Sequence, residues 1–249
     1  MLHKLIISNF RTSTGFKVEE LPLTYQVFGR PLGSAPVVLA THALSGNSSV
    51  AGKNGWWNPL FEDNACIDLN RFSVLCFDIP GNGYNGFLIN EYEEIRIVDV
   101  ARWFLKGLKQ LEIKSVYAGI GGSLGGSILW QMAVLKPDLF ENLIPIATDW
   151  KATDWLLAQC RVQKQILENS VNPVHDARIH AMTFYRTPAS FKEKFNRSLS
   201  ADPSLFNVES WLFHHGNKLE NRFHLQAYKL MNHLLMTANI ENDEMDFPT

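Results

Sequence analysis

The chain has 249 residues, of which 46% are apolar and 19% charged, so it is long enough and apolar enough to bury the core of one large domain. Its formal net charge of −2 excludes a broad basic surface of the kind that binds nucleic acid. No stretch approaches the roughly 18 apolar residues of a membrane span, and the N-terminus lacks the pattern of a secretory signal. The three cysteines show no metal-ligand spacing, which favours reduced thiols in a cytoplasmic protein without a metal site.

The first third of the chain carries the patterns of β-strands. LPLTYQVFG (21–29) alternates between apolar and polar residues, whereas APVVLATHAL (35–44) and RFSVLCFDIPG (71–81) are continuous apolar runs. Such runs are typical of strands buried in a parallel sheet. A segment rich in Gly, Ser and Asn lies between the last two (45–64) and predicts a long loop, and loops of that length are usually functional.

Helical and extended patterns alternate in the next part of the chain. Apolar residues recur at helical spacing over 91–113, with acidic residues at the start and lysines near the end. A strand (115–120), a helix (124–135) and another strand (142–148) follow. This alternation predicts parallel pairing through crossover connections, and therefore an α/β sheet.

The pattern changes after residue 150. Five stretches between 150 and 236 have helical periodicity, broken at Pro173, Pro188 and Pro203, and none has the pattern of a strand. We therefore predict an α/β core over residues 1–150 and a mostly helical segment over 151–249.

Ser123 lies in a glycine-rich turn between a predicted strand and a predicted helix. The sequence Gly121-Gly122-Ser123-Leu124-Gly125 fits G-x-S-x-G, in the structural context that makes this motif informative. A sharp turn of this kind strains the serine backbone, and glycines let the neighbouring elements pass closely. The pattern favours a catalytic nucleophile over the alternative, a plain glycine-rich turn that could also hold a phosphate.

A second stretch, THALSGNSSVAG (41–52), begins at the end of an earlier predicted strand. Acyl-transfer sites need two backbone N–H groups directed at the carbonyl oxygen of the substrate. We predict the N–H groups of Leu44 and Leu124 as this pair. His42 in the same stretch could equally be a hydrogen-bonded histidine of the core.

Taken together, four stretches resemble the homoserine O-acetyltransferase family, whose members have the α/β-hydrolase fold and use acyl-CoA in methionine synthesis. The resemblance covers nearly the whole chain and rests on THALSGNSSVAG with GWW (41–57), the run from IRIVDV to KPDLF (95–140), HAMTFYRT (180–187) and the run from FNVESW to NHLLM (206–236). The chain departs from the family's GGSMGG, CSNVLGG and VESYLDYQGDKF, where it has GGSLGG, CFDIPGNG and VESWLFHHGNKL.

The resemblance implies an α/β-hydrolase fold with a mostly parallel sheet, flanking helices, and a helical lid from about residue 151 that carries contacts of a homodimer. It also implies a ping-pong reaction in which Ser123 takes an acetyl group from acetyl-CoA and passes it to homoserine, with no other cofactor. Arg186 matches the arginine of the family's YRS motif and would bind the carboxylate of the amino acid, to which a guanidinium is complementary. Without the resemblance, a solvated or structural role is the better prediction for Arg186.

The base and the acid that Ser123 needs are not evident. In the α/β-hydrolase order they follow the serine, and in the resembled family they lie beyond the lid. The downstream candidates fall in helical stretches or in a polar tail, where packing or solvent exposure is the better interpretation: His175, His180, His214, His215, His224, His233, Asp243 and Asp246. We therefore expect an N-terminal part of a longer enzyme that lacks the last strands of the core and leaves a sheet edge uncovered. Such a chain would be nearly inactive, because losing the triad partners costs on the order of 10⁴–10⁶ in turnover.

Three functions remain open from the sequence. The first is the acetyltransferase, for which succinyl-CoA as donor or serine as acceptor is not separated from acetyl-CoA and homoserine. The second is a serine esterase or hydrolase of the same fold, in which water takes the acyl group. The third is a truncated, non-catalytic protein that binds a ligand or a partner subunit.

Overall fold

The computed structural model describes residues 1–241, which form a six-stranded sheet with helices packed against it. The strand order is β1-β2-β4-β3-β5-β6. β2 pairs antiparallel with both β1 and β4, and the pairs β3–β4, β3–β5 and β5–β6 are parallel. The strands are β1 (His3–Arg11), β2 (Lys17–Gly29), β3 (Val37–Thr41), β4 (Ser73–Phe77), β5 (Val116–Gly122) and β6 (Phe140–Ile146). The predicted α/β class is confirmed.

Two helices fill the crossovers of the sheet, and five more follow β6 within residues 1–241. They are α1 (Ile97–Gln110), α2 (Leu124–Leu135), α3 (Asp154–Asn169), α4 (Pro173–Phe184), α5 (Pro188–Phe195), α6 (Asn207–Glu220) and α7 (Leu225–Met236). Pro173 and Pro188 occupy the first positions of α4 and α5, where the missing N–H of proline costs no helical hydrogen bond. After residue 150 the described part of the chain has two isolated β-bridges and no strand, as predicted.

The first strand was not predicted from the sequence. β1 pairs along its length with β2, yet only Ile7 and Phe10 of its residues are buried. It lies at the edge of the sheet, where one face and one backbone edge meet solvent, so polar residues interrupt its pattern. Its strand character comes from pairing with β2 rather than from its own composition.

The helix predicted over 91–113 is divided. Tyr92–Glu94 form a short 3₁₀ turn, and α1 begins at Ile97 after an extended Arg96 (φ −111°, ψ 165°). The carboxylate of Asp99 accepts the N–H of Arg96 at 2.9 Å, which fixes the start of α1 at this point. The helical periodicity of the sequence did not reveal this interruption.

The two central strands, β3 and β4, have no exposed residue, which explains their continuous apolar sequences. On one face of the sheet, α1 contributes Trp103 and Phe104, and the Phe104 ring lies 5.0 Å from that of Phe77. Phe61, from the long segment between β3 and β4, packs in a second cluster with Val38 and other residues of the sheet. That segment contains only turns and bends, as the loop prediction required.

The helical segment continues the main core rather than resting on it. Tyr228, Leu230 and Met231 of α7 are fully buried and belong to the same cluster as Phe77 and Trp103. The opposite edge of the sheet, β6, exposes 39% of Ile144 and 40% of Ile146. Within residues 1–241, β6 pairs with a strand on one side only, which is β5. All three cysteines are free thiols, and no helix within residues 1–241 has the length and apolar character needed to cross a bilayer.

Candidate active site

Ser123 occupies a strained backbone position between β5 and α2. Its φ of 52° and ψ of −123° place it in a region that residues with a side chain rarely adopt. The N–H of Ser123 donates to the carbonyl of Ile146 at 2.9 Å, and its own carbonyl accepts the N–H of Ser127 at 3.1 Å. The side chain is exposed at the N-terminal end of α2. This is the geometry expected of a nucleophile presented on a sharp strand-to-helix turn.

Glycines make the turn possible by allowing close approach. A Cβ on Gly121 would collide with the Thr41 hydroxyl and lie 2.8 Å from the backbone carbon of Gly125. One on Gly125 would collide with the Thr41 carbonyl and lie 2.8 Å from the carbonyl oxygen of His42. Thr41 also donates its hydroxyl hydrogen to the Gly125 carbonyl at 2.9 Å. The first turn of α2 is therefore pressed against the end of β3.

This contact brings the loop with Leu44 beside the turn with Leu124. Leu44 lies in a tight turn closed by the Gly46 N–H on the Ala43 carbonyl at 2.9 Å, and Leu124 is the first residue of α2. Within residues 1–241, neither the Leu44 nor the Leu124 N–H donates a hydrogen bond. Their assignment as oxyanion donors stays a prediction, but both groups are free to take that role.

His42 is held in the core with both ring nitrogens engaged. Its Nε2 accepts the Ile79 N–H at 2.9 Å, so the proton resides on Nδ1, which lies 2.9 Å from the Ala43 carbonyl. Burial lowers the pKa of His42, although the charge of Asp78 and the Ala43 carbonyl act in the opposite direction. This supports the interpretation of His42 as a hydrogen-bonded core histidine that is neutral and unavailable as a base for Ser123.

A buried carboxylate lies behind the same loop. Asp78 follows β4 directly, is 2% exposed, and accepts hydrogen bonds from Thr24, Ser48 and Asn82. Sequence reasoning noted only that DIPGNG departs from the resembled family. The signal that could have identified Asp78 is an acidic residue at the end of a fully apolar strand, because such a residue is buried only when it is well hydrogen-bonded.

Ser123 borders a cavity of about 240 Å³ that Ser127, Thr148, Asp149 and Leu235 also line. Within residues 1–241, the Ser123 hydroxyl has no hydrogen bond to a histidine or a carboxylate.

The downstream histidines of the sequence lie on α4 (His175, His180), on α6 (His214, His215), before α7 (His224) and on α7 (His233). Asp243 and Asp246 lie outside the described residues. The structure therefore brings no base to the serine in the described part of the chain.

Arg186 follows α4 and is exposed. Its guanidinium lies 5.8 Å from the centre of the Trp211 ring and donates to the Ser190 hydroxyl at 3.3 Å. Two other arginines are Arg178 on α4 and Arg222 after α6, and the second of them contacts the loop of Leu44. Arg222 donates to the carbonyl of Ser45 at 3.0 Å, and its pKa is lowered by partial burial of the guanidinium and by the charge of Arg178. Neither of them forms an ion pair with a carboxylate within residues 1–241. Sequence reasoning passed over both.

Metal ligation has no support in the described part of the chain, where no three His, Cys, Asp or Glu side chains are grouped closely enough to hold an ion. The site as built offers a presented hydroxyl and two free backbone N–H groups, and the Arg222 guanidinium contacts the loop of Leu44. These groups suit acyl transfer to or from a serine, with an anionic substrate group held by arginine.

The sequence matches the family profile described as the α/β hydrolase fold over residues 36–223. It is 29% identical to the homoserine O-acetyltransferase of Chloroherpeton thalassium, over 98% of this chain and 72% of that protein. It is 30% identical to the homoserine O-acetyltransferase of Trichormus variabilis, over 88% of this chain and 68% of that protein.

Solved structures show the same fold. The homoserine O-acetyltransferase of Staphylococcus aureus superposes with a TM-score of 0.84 at 23% identity, covering 99% of this chain and 74% of that one. An acetylester hydrolase from Corynebacterium glutamicum superposes with a TM-score of 0.82 at 16% identity, covering 98% and 74%. The matched profile, the sequence relatives and the serine turn together show that this chain belongs to the homoserine O-acetyltransferase family of α/β-hydrolase-fold enzymes.

Proposed function

We propose that the protein is an acyl-CoA-dependent O-acyltransferase of methionine biosynthesis that moves an acetyl group from acetyl-CoA to L-homoserine. The observation that carries the proposal is Ser123, exposed at φ 52° at the start of α2, in a chain whose sequence relatives are homoserine O-acetyltransferases. Acetyl-CoA acts as a co-substrate, and the proposal includes no further cofactor and no metal.

The reaction proceeds in two half-reactions through an acyl-serine. In the first, the Ser123 oxygen attacks the thioester carbonyl, the C–S bond breaks, and CoA leaves as the thiol with the serine proton. In the second, the homoserine hydroxyl attacks the acetyl-serine, O-acetylhomoserine leaves, and the proton returns to Ser123. The N–H groups of Leu44 and Leu124 stabilise the oxyanion in both steps, a contribution of about 100–1000-fold for each donor.

Both half-reactions need a base to carry the proton. No histidine or carboxylate of residues 1–241 is hydrogen-bonded to Ser123, so we propose that this chain alone turns over slowly. The cavity beside Ser123 is the place where a base could approach the hydroxyl.

A cytoplasmic location and a homodimer formed through the helical segment complete the proposal.

Arg186 is proposed to bind the carboxylate of the acceptor. Its exposed guanidinium has no carboxylate partner within residues 1–241, which leaves it available to an anion. Arg178 is a second candidate, because it lies close enough to Arg222 to lower the pKa of that residue, and Arg222 contacts the loop of Leu44. An amino-acid carboxylate lies only a few bonds from the reacting hydroxyl, so its ligand must be near the site.

A hydrolase that releases acetate is the second candidate function. The superposition on an acetylester hydrolase shows a shared fold, and the exposed hydroxyl of Ser123 suits either reaction. The two functions differ only in whether water or homoserine takes the acyl group from Ser123.

The test is incubation of the protein with radiolabelled acetyl-CoA, with and without homoserine. We expect a covalent label on the protein, labelled O-acetylhomoserine only when homoserine is present, and no label on Ser123→Ala. Free acetate released at the same rate with and without homoserine would show that the protein is a hydrolase rather than a transferase. A label that persists on Ser123→Ala would refute the nucleophile.

Matched single variants test which arginine binds the carboxylate of homoserine. Arg186→Ala should raise the KM for homoserine at least about tenfold while acylation by acetyl-CoA stays unchanged, because a charged hydrogen bond to carboxylate contributes about 1.5–3 kcal/mol. If Arg178→Ala raises the KM for homoserine with unchanged acylation, and Arg186→Ala changes neither quantity, then Arg178 binds the acceptor carboxylate instead of Arg186. Arg197→Ala, which removes another exposed guanidinium of the helical segment, serves as the control.

A further inference from the structure

The loop that carries Leu44 is held mainly from outside. We call residues 42–48 the oxyanion loop. Its two internal hydrogen bonds, from the Gly46 N–H and from the His42 Nδ1–H to the Ala43 carbonyl, close only the turn itself. At the start of the loop, the His42 ring accepts the Ile79 N–H at 2.9 Å. At its end, Ser48 is bound by Asp78, so both ends are fixed to the two residues that follow β4.

The Asp78 carboxylate accepts hydrogen bonds from both donors of Ser48, its backbone N–H and its hydroxyl. One carboxylate oxygen accepts the Ser48 N–H at 2.7 Å and the Asn82 side-chain amide at 3.2 Å. The other accepts the Thr24 hydroxyl at 2.7 Å and the Ser48 hydroxyl at 3.0 Å. A carboxylate with four donors in the core has little freedom to move, and it fixes each donor in turn.

No cation forms an ion pair with Asp78 within the described chain, so neutral donors alone hold this carboxylate. Ser48 is itself fully buried, and Gln26 donates to its hydroxyl oxygen at 3.1 Å. An aspartate needed only to fill space would be replaced by an apolar residue at lower cost, because burying a carboxylate is unfavourable. The chain keeps a buried acid at this point, and two of its four donors belong to Ser48 at the end of the oxyanion loop.

Ser48 and Leu44 lie in one tight loop, in which the Arg222 guanidinium also holds the Ser45 carbonyl at 3.0 Å. Three residues lie between them, and the turn is tight enough that a Cβ on Gly46 would lie 2.8 Å from the Cβ of His42. A shift at Ser48 therefore moves the Leu44 N–H relative to the turn of Ser123. Displacements of about 1 Å at a reacting centre cost on the order of 100-fold in rate.

We propose that Asp78 is a positioning residue for acylation of Ser123, which acts by holding the oxyanion loop through Ser48. It touches neither the substrate nor the reacting atoms. The inference rests on the proposed function only in requiring that Ser123 forms an acyl-enzyme, and not on the identity of donor or acceptor.

The chain offers a matched control in Asp99. This carboxylate is also fully buried and also accepts both the N–H and the hydroxyl of a serine, Ser13, at 2.7 and 3.0 Å. It caps α1, and its nearest cation, Arg102, lies 3.9 Å away. Asp99→Ala should lower stability as Asp78→Ala does, without changing the oxyanion loop.

The experiment measures two quantities on the wild type, Asp78→Ala, Asp78→Asn, Ser48→Ala and Asp99→Ala. The first is amide hydrogen exchange over residues 42–50, which needs no catalysis. The second is the rate constant for acylation of Ser123 by p-nitrophenyl acetate, per folded molecule, which needs neither acetyl-CoA nor homoserine. Ser48→Ala and Asp78→Asn are milder changes that retain most of the packing if Asp78→Ala fails to fold.

For Asp78→Ala we expect exchange over 42–50 to rise at least about tenfold and acylation to fall about 100-fold, with unchanged affinity for the ester. Asp78→Asn, which keeps an acceptor for the Ser48 N–H, should recover most of the acylation, and Asp99→Ala should change neither quantity. Unchanged exchange over 42–50 in Asp78→Ala overturns the proposal, as does equal loss of acylation in Asp99→Ala or a loosened loop with normal acylation. Acylation of Ser123→Ala at the wild-type rate refutes the proposed nucleophile. If the missing base makes acylation of the wild type too slow to measure, the exchange measurement alone decides the role of Asp78.

Discussion

The backbone of Ser123 is an unfavourable conformation that its neighbours maintain. A serine at φ 52° costs of order 1–3 kcal/mol, and it persists only where the surroundings leave no alternative. Here the Ser123 N–H is bound to Ile146 and its carbonyl to Ser127. The glycines on either side remove the side chains that would keep α2 away from the end of β3. The strain therefore presents the hydroxyl at the head of a helix.

Two adjacent glycines of this turn should respond differently to an added methyl group. Gly121→Ala should lower the free energy of unfolding by about 3 kcal/mol, because its Cβ would meet the Thr41 hydroxyl and the backbone of Gly125. Gly122→Ala should change it by less than about 0.5 kcal/mol, since its Cβ would approach only the Ile146 carbonyl, at 4.0 Å. Urea unfolding of both variants measures the difference, and equal losses would contradict the packing argument.

Helix α1 illustrates how an element depends on groups far along the chain. Its start is fixed locally by Asp99, which accepts the Arg96 N–H. Its first residue, Ile97, donates its N–H to the Thr237 hydroxyl oxygen at 3.0 Å, and Thr237 directly follows α7. The end of the last described helix thus caps the beginning of the first. Helix starts leave N–H groups that need such acceptors.

Removing this acceptor should destabilise the protein measurably. Thr237→Val keeps the shape but leaves the partly buried Ile97 N–H without its partner, which should cost about 1 kcal/mol. Thr237→Ser keeps the hydroxyl and should stay within about 0.5 kcal/mol of the wild type. Chemical denaturation of the pair gives the comparison. A serine variant as unstable as the valine variant would indicate that the methyl group, rather than the hydrogen bond, matters.

At the scale of the whole molecule, one core joins the sheet and the helical segment. Residues of α3, α4, α6 and α7 belong to the cluster that contains Phe77 and Trp103. Leu230 of α7 is fully buried and lies where a Cβ on Gly81, just after β4, would be 2.5 Å from it. The helices after residue 150 are therefore part of the hydrophobic core, and their loss would expose it.

A cavity in α7 should consequently weaken the entire protein. Leu230→Ala should lower the free energy of unfolding by about 2–5 kcal/mol. The transitions seen by far-UV circular dichroism and by tryptophan fluorescence should shift together, because both halves unfold as one unit. Trp155→Ala, at a side chain that is 68% exposed, is the control and should shift neither transition appreciably. Separate transitions in Leu230→Ala would show that the helical segment unfolds independently.

The local patterns of the sequence were sufficient for the class of fold and for the place of Ser123 on a strand-to-helix turn, while its role as nucleophile stays a prediction. Continuous apolar runs predicted β3 and β4, the alternation of strands and helices predicted parallel pairing, and G-x-S-x-G placed Ser123 on its turn. These features depend on residues close together in the chain, so they are visible without the structure. The family resemblance added the expected chemistry, which the sequence relatives support.

Only the tertiary structure decided the contacts between distant residues. β1 became a strand by pairing with β2, and Asp99 interrupted a helical pattern that looked continuous. Asp78 meets Ser48, thirty positions earlier in the chain, and Ile97 meets Thr237. The sequence by itself determined which segments are buried and where the serine is presented, because periodicity and steric freedom are local. The partners of buried polar groups were decided by packing, because a polar group takes the acceptor or donor that the folded chain brings to it.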